Sequence, residues 1–223
     1  LGDLREGIFF RNEDEIFSTV EQILAMSNIR LYGSGVNLTC YGAIIPKNDN
    51  LSQLTELGEK IEEKFDIKLQ MVSGGNSSSI YLIEKHQLPR RINNLRLGEA
   101  FLLGNDTAYE TKLPGTTGDA LVLEAQIVEL KEKPSLPIGE VGVDAFGHKP
   151  YYEDRGIIKR AIIAVGKQDT ELDSMTPLDE KIDILGGSSD HIILDVTKSD
   201  KEYKVGDVVR FTLGYGGMLK AAT

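Results

Sequence analysis

Two glycine-rich polar turns contain the residues best suited to chemistry. The first, at 73–79, reads SGGNSSS, and the second, at 96–99, reads RLGE. Glycine lets a backbone approach a ligand closely, and free N–H groups at a helix start attract an anion. A single turn of this kind would more simply be flexible. Two of them after consecutive strands, with Arg96 beside the second, are typical of the phosphate site of a (β/α)8 barrel and predict a phosphorylated ligand.

The elements expected to position these turns alternate between helix and strand. They are a helix capped by Asn12 or Asp14, an extended stretch at 29–39 broken by two glycines, a helix with an apolar stripe from Leu54 to Phe65, a strand at 67–72 and a helix at 77–85. This alternation predicts a parallel sheet with helical crossovers. The units are too few for a closed barrel, so about half of one is expected.

Beyond residue 115 the pattern changes. Apolar runs at 121–130, 157–165, 192–196 and 205–213 are separated by Gly, Pro, Asp and Ser. Such runs predict a mostly antiparallel β domain. We therefore predict two domains, a partial (β/α)8 barrel at 1–115 that binds the ligand and a C-terminal β domain at 116–223.

Composition limits the class of protein. The formal net charge of −10 over 223 residues argues against nucleic acid or an anionic membrane as partner. The single cysteine, Cys40, excludes an internal disulfide and is typical of a reducing cytoplasm. From the sequence we expect neither a membrane-spanning run nor a signal peptide. The three histidines lack the spacing of metal ligands, so no metal site is expected.

Several longer motifs identify a family resemblance. They are GVNLTCYG at 35–42, PKNDNLS at 46–52, VSGGNSSS at 72–79, PSLPIGE at 134–140 and VDAFG at 143–147. With them the chain resembles the fold-type III pyridoxal-phosphate amino-acid racemases, the alanine racemase superfamily, and within it the ornithine racemase branch. The resemblance implies a (β/α)8 barrel followed by a β domain, with pyridoxal 5'-phosphate as cofactor.

The resemblance also implies that the chain, which begins at Leu1, starts near the middle of the barrel. The lysine that forms the internal aldimine in the family lies before that point, and Lys47, Lys85 and Lys167 are interpreted as solvated. The chain alone is therefore expected to be inactive, unless the missing half is present as a separate chain.

The resemblance assigns roles around the cofactor. Arg5 matches an arginine near the phenolic oxygen, and Arg96 matches the arginine facing the pyridine nitrogen. Because arginine stays protonated, it disfavours protonation of that nitrogen and so favours racemisation over transamination. Thr39 stands where alanine racemases have a histidine. The remaining cofactor contacts are expected from Ser73, Gly74, Asn76, Ser77, Gly98, the backbone of Glu99 and Tyr215.

Racemisation by two-base α-proton transfer needs an acid–base group on each face of the α-carbon. The resemblance gives one role to the absent lysine, and an ungapped match gives the other to Asp144, with His148, Tyr151 and Tyr152 as alternatives. Ser189 and Asp190 are expected to approach the substrate carboxylate from a partner subunit. The implied assembly is a homodimer with shared sites, and the implied substrate is ornithine or another basic amino acid, with alanine as an alternative.

Two functions are alternatives to that of a racemase. The first is a non-catalytic carrier of pyridoxal phosphate, but such single-domain barrels lack a β domain like that expected after residue 115. The second is a decarboxylase or aldolase of the same fold class. Those enzymes need a stronger electron sink or a metal. Arg96 argues against the stronger electron sink.

Overall fold

The computed structural model describes residues 2–143, 147 and 149–222. The chain forms two compact units, Leu1–Thr117 and Gly118–Thr223, and each is described by itself. Within these described ranges, every helix is too short or too polar to cross a membrane.

The first unit alternates helices with short strands. Its elements are α1 (Glu13–Leu24), β1 (Gly33–Gly35), α2 (Asn48–Phe65), β2 (Met71–Ser73), a 3-10 turn (Ser77–Ser79), α3 (Ile80–Glu84), α4 (Glu99–Leu103), β3 (Asn105–Asp106) and β4 (Thr111–Lys112). β1 and β2 pair in parallel, and Asn94 adds a parallel bridge to Ser73. The predicted parallel sheet with helical crossovers, part of a (β/α)8 barrel, is confirmed.

The extended stretch predicted at 29–39 is wrong in its detail. The strand is confined to Gly33–Gly35, so the two glycines form it instead of breaking it. A Cβ added at Gly33 would lie 2.1 Å from the carbonyl oxygen of Met71. Only glycine therefore allows β1 to approach β2 at this point, a close approach that the sequence pattern alone does not reveal.

Helix α2 packs on β1 and β2, and α1 packs against α2. Asn12 caps α1 by accepting a hydrogen bond from the N–H of Glu15 at 3.3 Å. Ile16 and Val20 of α1 are buried in one apolar cluster with Ile61 of α2. A second cluster joins Leu51 and Leu54 of α2 to the strand ends and α3. Its buried members are Val36, Leu38, Leu51, Leu54, Val72, Tyr81, Leu82 and Ile92.

The second unit is built on a six-stranded antiparallel sheet. Its strands are β5 (Val122–Pro134), β6 (Ile157–Ile163), β7 (Met175–Pro177), β8 (Asp183–Gly187), β9 (Ile192–Asp195) and β10 (Val208–Leu213), and α5 (Tyr215–Ala221) follows them. Their order in the sheet is β7-β10-β5-β6-β9-β8. The core of this unit includes a fully buried residue from each of four of these strands: Ile127, Ile163, Ile192 and Phe211. The predicted antiparallel β domain is confirmed, although β7 and β8 were not predicted because they are short and lack a long apolar run.

Candidate functional site

The first glycine-rich turn is fixed by its own polar side chains. Asn76 Oδ1 accepts hydrogen bonds from the backbone N–H of Ser78 at 2.9 Å and from its hydroxyl at 2.7 Å. Ser79 Oγ donates to the carbonyl of Gly74 at 2.7 Å. These local bonds favour a 3-10 turn, so the helix predicted at 77–85 is replaced by that turn and the five-residue α3.

The two glycine-rich turns are joined directly by one hydroxyl. The buried Ser77 Oγ accepts hydrogen bonds from the N–H of Gly98 at 3.3 Å and from the N–H of Ala100 at 3.0 Å. Gly98 and Ala100 lie at the start of α4, where the first N–H groups have no partner inside the helix. A Cβ added at Gly98 would meet no atom within 4 Å, so this side of the turn is open.

Arg96 spans the carboxyl ends of the two parallel strands. Its Nη2 donates to the carbonyl oxygen of Val36 at 2.8 Å, and its Nη1 donates to Ser73 Oγ. Its backbone N–H donates to the carbonyl of Gly75 at 2.9 Å. A guanidinium has only donors in a rigid plane, so these acceptors fix its orientation.

A cavity of about 330 Å³ brings the two predicted arginines together. Arg5 and Arg96 both line it. Arg5 Nη1 donates to Cys40 Sγ at 2.6 Å, and Arg5 also forms an ion pair with Glu6. The hydrogen bond to Glu6 raises the pKa of Arg5, and the same bond lowers the pKa of Glu6. The other lining residues are Asp3, Leu4, Gly7, Ile8, Gly35, Val36 and Asn37.

Thr39 is engaged in its own loop. Its hydroxyl donates to the carbonyl of Ile44 at 2.7 Å, and its φ of 68° is in the left-handed region. The buried carboxylate of Asp3 holds the same loop by accepting from the N–H of Tyr41 at 2.9 Å. Burial alone would raise the pKa of Asp3, but hydrogen bonds from backbone N–H groups, that of Tyr41 first, lower it overall.

Glu99 begins α4 beside Ser77, and its carboxyl group is ill suited to hold an anion. Burial raises the pKa of Glu99, and the negative charge of Glu110 raises it further. The cofactor contact expected from the backbone of Glu99 stays a prediction.

The remaining predicted residues belong to the second unit. Ser189 Oγ donates to Asp190 Oδ2 at 2.7 Å in the exposed turn between β8 and β9. Tyr215 begins α5 and is 50% exposed. Asp144, together with the alternative His148, lies outside the described residues.

The other two alternatives for the second acid–base group are described. Tyr151 is 91% exposed and Tyr152 is 44% exposed. No metal-binding group of three or more His, Cys, Asp or Glu side chains occurs in the described part of either unit.

Sequence reasoning missed two contacts of the arginines: Asn37 contacts Arg96, and Cys40 contacts Arg5. Both lie in the motif GVNLTCYG, directly after β1. Side chains at the carboxyl ends of parallel strands face the ligand side of such sheets, and this position was the available signal. The actual contacts depend on long-range folding that no local pattern contains.

Several solved structures share the fold of this chain. Its solved neighbours include the alanine racemase of Bacillus anthracis with bound L-Ala-P (TM-score 0.61, 17% identity, covering 95% of this chain and 53% of that one). The alanine racemase of Bartonella henselae with covalently bound pyridoxal phosphate has a TM-score of 0.59 at 20% identity, covering 98% and 57%. D-threonine aldolase of Filomicrobium marinum has a TM-score of 0.60 at 13% identity, covering 97% and 54%.

Two racemases are similar to this chain in sequence. The chain is 57% identical over all its 223 residues to ornithine racemase of Acetoanaerobium sticklandii and 41% identical over all 223 to lysine racemase of Thermotoga maritima. It spans 63% and 61% of the lengths of these two relatives. No family model matches the chain. The resemblance to the alanine racemase superfamily and its ornithine racemase branch is confirmed.

Proposed function

We propose that the protein carrying this chain is a pyridoxal 5'-phosphate-dependent amino-acid racemase, with the basic amino acids ornithine and lysine as the first candidate substrates and alanine as the alternative. The observation that carries the proposal is the convergence of Arg5 and Arg96 on one cavity, beside two turns joined through Ser77. Identity to ornithine and lysine racemases over the whole chain supports the same reaction class.

The residues fit the proposed cofactor. A cavity of about 330 Å³ is within the range of small-ligand sites, and its two guanidinium groups suit a ligand with anionic and acceptor atoms. The turn at Gly98 is open, and the backbone of Glu99 there suits a phosphate. The Ser77 hydroxyl, which accepts from the N–H groups of Gly98 and Ala100, would donate its own hydrogen to the same group. Ser73, Gly74 and Asn76 belong to the first glycine-rich turn, which hydrogen bonds to Asn76 and Gly74 hold in shape. The hydroxyl of Thr39 is instead bonded to Ile44 in its own loop.

Pyridoxal phosphate, when bound, supplies an electron sink for the negative charge left when the α-proton departs. The proposed role of Arg96 is to donate a hydrogen bond to the ring nitrogen while keeping its own proton. Its fixed contacts to Val36 and Ser73 prevent it from turning away. Arg5, held by Glu6 and Cys40, would donate to the phenolic oxygen in the same cavity.

Racemisation also needs a proton donor and acceptor on each face of the α-carbon. We propose Asp144 for one face, with Tyr151 and Tyr152 as the described alternatives. Lys47 precedes α2, and Lys85 lies over the ring of Tyr81 with Nζ 5.0 Å from its centroid, so neither lines the cavity with Arg5. Neither lysine is therefore proposed as the acid–base group on the other face of the α-carbon.

The second unit is proposed to act across a homodimer. Ser189 and Asp190 would then approach the substrate carboxylate of the partner's site, and Tyr215 would approach the phosphate. Light scattering on the purified protein should give twice the mass of one chain. A monomeric enzyme with full activity would contradict this part of the proposal.

The decisive experiment follows the α-proton. The protein is expressed from its complete reading frame, loaded with pyridoxal phosphate and incubated in D2O with L-ornithine, L-lysine or L-alanine. NMR should show loss of the α-proton signal, and polarimetry should show loss of optical rotation. Cofactor binding without α-proton exchange in any of the three would instead support the carrier function.

A further inference from the structure

We propose that Asn37 is a positioning residue that ties Arg96 to the first glycine-rich turn, a role that rests on the proposed cofactor site. Asn37 Oδ1 accepts a hydrogen bond from Asn76 Nδ2 at 2.9 Å and a longer one from Arg96 Nη2 at 3.5 Å. Asn37 also lines the cavity between Arg5 and Arg96. One side-chain oxygen thus links the turn beside Ser77 to the cation that faces the cavity.

The orientation of the Asn76 amide depends on this contact. Its Nδ2 has two acceptors, Asn37 Oδ1 and the carbonyl of Leu38 at 2.9 Å. With both donors satisfied on that side, Asn76 Oδ1 faces the turn and accepts from Ser78. The end of β1 therefore sets the conformation of the turn that carries Ser77.

Arg96 has the same dependence on the end of β1. Two consecutive residues there accept from its Nη2, Val36 through its carbonyl and Asn37 through its side chain. The acceptor of Val36 is its backbone carbonyl, so a change of side chain does not remove it. Asn37 supplies the only one of these two acceptors that a side-chain change can remove.

The test compares three variants. Asn37→Leu removes the shared acceptor at similar volume, whereas Asn37→Asp keeps an acceptor oxygen. Asn48→Leu is the matched control, because Asn48 Nδ2 also donates to a distant carbonyl, that of Gln87 at 2.8 Å, outside the cavity. Asn48 is exposed, so this variant measures the effect of losing one long-range amide hydrogen bond away from the cavity.

The first readout is equilibrium binding of pyridoxal phosphate, followed by absorbance. Because a lost hydrogen bond of this kind corresponds to about a tenfold change in an equilibrium constant, Asn37→Leu should weaken binding about tenfold. Asn48→Leu should bind as the unchanged protein does. In a double-mutant cycle, Asn37→Leu and Asn76→Ala should be non-additive, because both remove the same bond.

The second readout does not need the cofactor. Phenylglyoxal modification of Arg96, measured by peptide mass spectrometry, should become several-fold faster in Asn37→Leu and stay slow in Asn37→Asp. Arg210 on β10, which pairs with Glu124 at 2.8 Å, is the internal reference. Unchanged labelling of Arg96 in Asn37→Leu would overturn the proposal. If labelling changes but the unchanged protein binds no pyridoxal phosphate, the positioning role stands and the proposed function fails.

Discussion

The hydroxyl oxygen of Ser77 lies 3.0 Å from the backbone nitrogen of Ala100 and accepts its hydrogen bond. This contact joins the turn after β2 to the start of α4. Ser77 is buried, so the N–H groups it satisfies would otherwise lose hydration without compensation. Together with the bonds from Arg96 to Ser73 and Gly75, this side chain holds the two glycine-rich turns next to each other.

Replacing Ser77 tests that junction. Ser77→Ala removes the acceptor of two backbone N–H groups, so we expect the free energy of unfolding to fall by about 1–2 kcal/mol. Binding of pyridoxal phosphate should weaken as well, since the hydroxyl belongs to the proposed phosphate site. Ser18→Ala on the exposed face of α1 is the control in denaturant melts and absorbance titrations. Equal affinities in the two variants would remove Ser77 from the site.

Arg96 should not tolerate lysine. Arg96→Lys keeps the charge but loses the fork that reaches Val36 and Ser73 together. We expect the variant to bind pyridoxal phosphate about tenfold more weakly, because at least one charge-assisted hydrogen bond is lost. Arg210→Lys, at an exposed ion pair, should bind it normally. Titration by absorbance measures both, and unchanged affinity in Arg96→Lys would contradict the assignment.

Glu62 makes the stability of the first unit depend on pH. Burial would raise the pKa of Glu62, but hydrogen bonds from the N–H of Leu69 at 2.8 Å and from Arg91 outweigh it and lower the pKa. A carboxyl group with a lowered folded-state pKa stabilises the fold above its unfolded pKa of about 4.3, and that contribution is lost as pH falls through the folded pKa.

Glu62→Gln should therefore reduce the free energy of unfolding by about 2 kcal/mol at pH 7, since it breaks a buried ion pair but keeps one acceptor oxygen. The difference from the unchanged protein should shrink as pH falls below 4. Urea melts at several pH values measure it. Glu59→Gln, on the exposed face of the same helix, is the control. A difference that stays constant with pH would mean that the charge of Glu62 is not responsible.

Gly33 is required by the contact between β1 and β2. Because a Cβ at Gly33 would lie 2.1 Å from the carbonyl of Met71, Gly33→Ala must push the strands apart, and we expect a loss of about 3 kcal/mol or more. Gly58→Ala in α2 is the matched control: its Cβ would have ordinary contacts at 3.6 and 3.8 Å. That variant should keep or slightly raise stability, because alanine favours helix. Thermal melts that rank the two variants in the opposite order would refute this explanation.

The sequence by itself determined the class of fold and the two polar turns. Helical spacing of Ile16 and Val20, and long apolar runs such as the one that forms β5, are local patterns with a physical period, so they could be recognised without coordinates. The glycine-rich turns were equally visible because their composition requires a close or irregular backbone. Arg96 was visible as part of the second turn, but its role and that of Arg5 were assigned by resemblance.

Only the tertiary structure decided which side chains meet. That Ser77 reaches the start of α4, that Arg5 and Arg96 line one cavity, and that Asn37 contacts Arg96 all depend on the close packing of strand ends distant in the chain. The same reason explains the error at Gly33: its need for glycine comes from Met71 on the neighbouring strand, not from its own sequence neighbours. Periodicity reports the environment of an element, whereas a contact between elements is fixed by the packing of the whole unit.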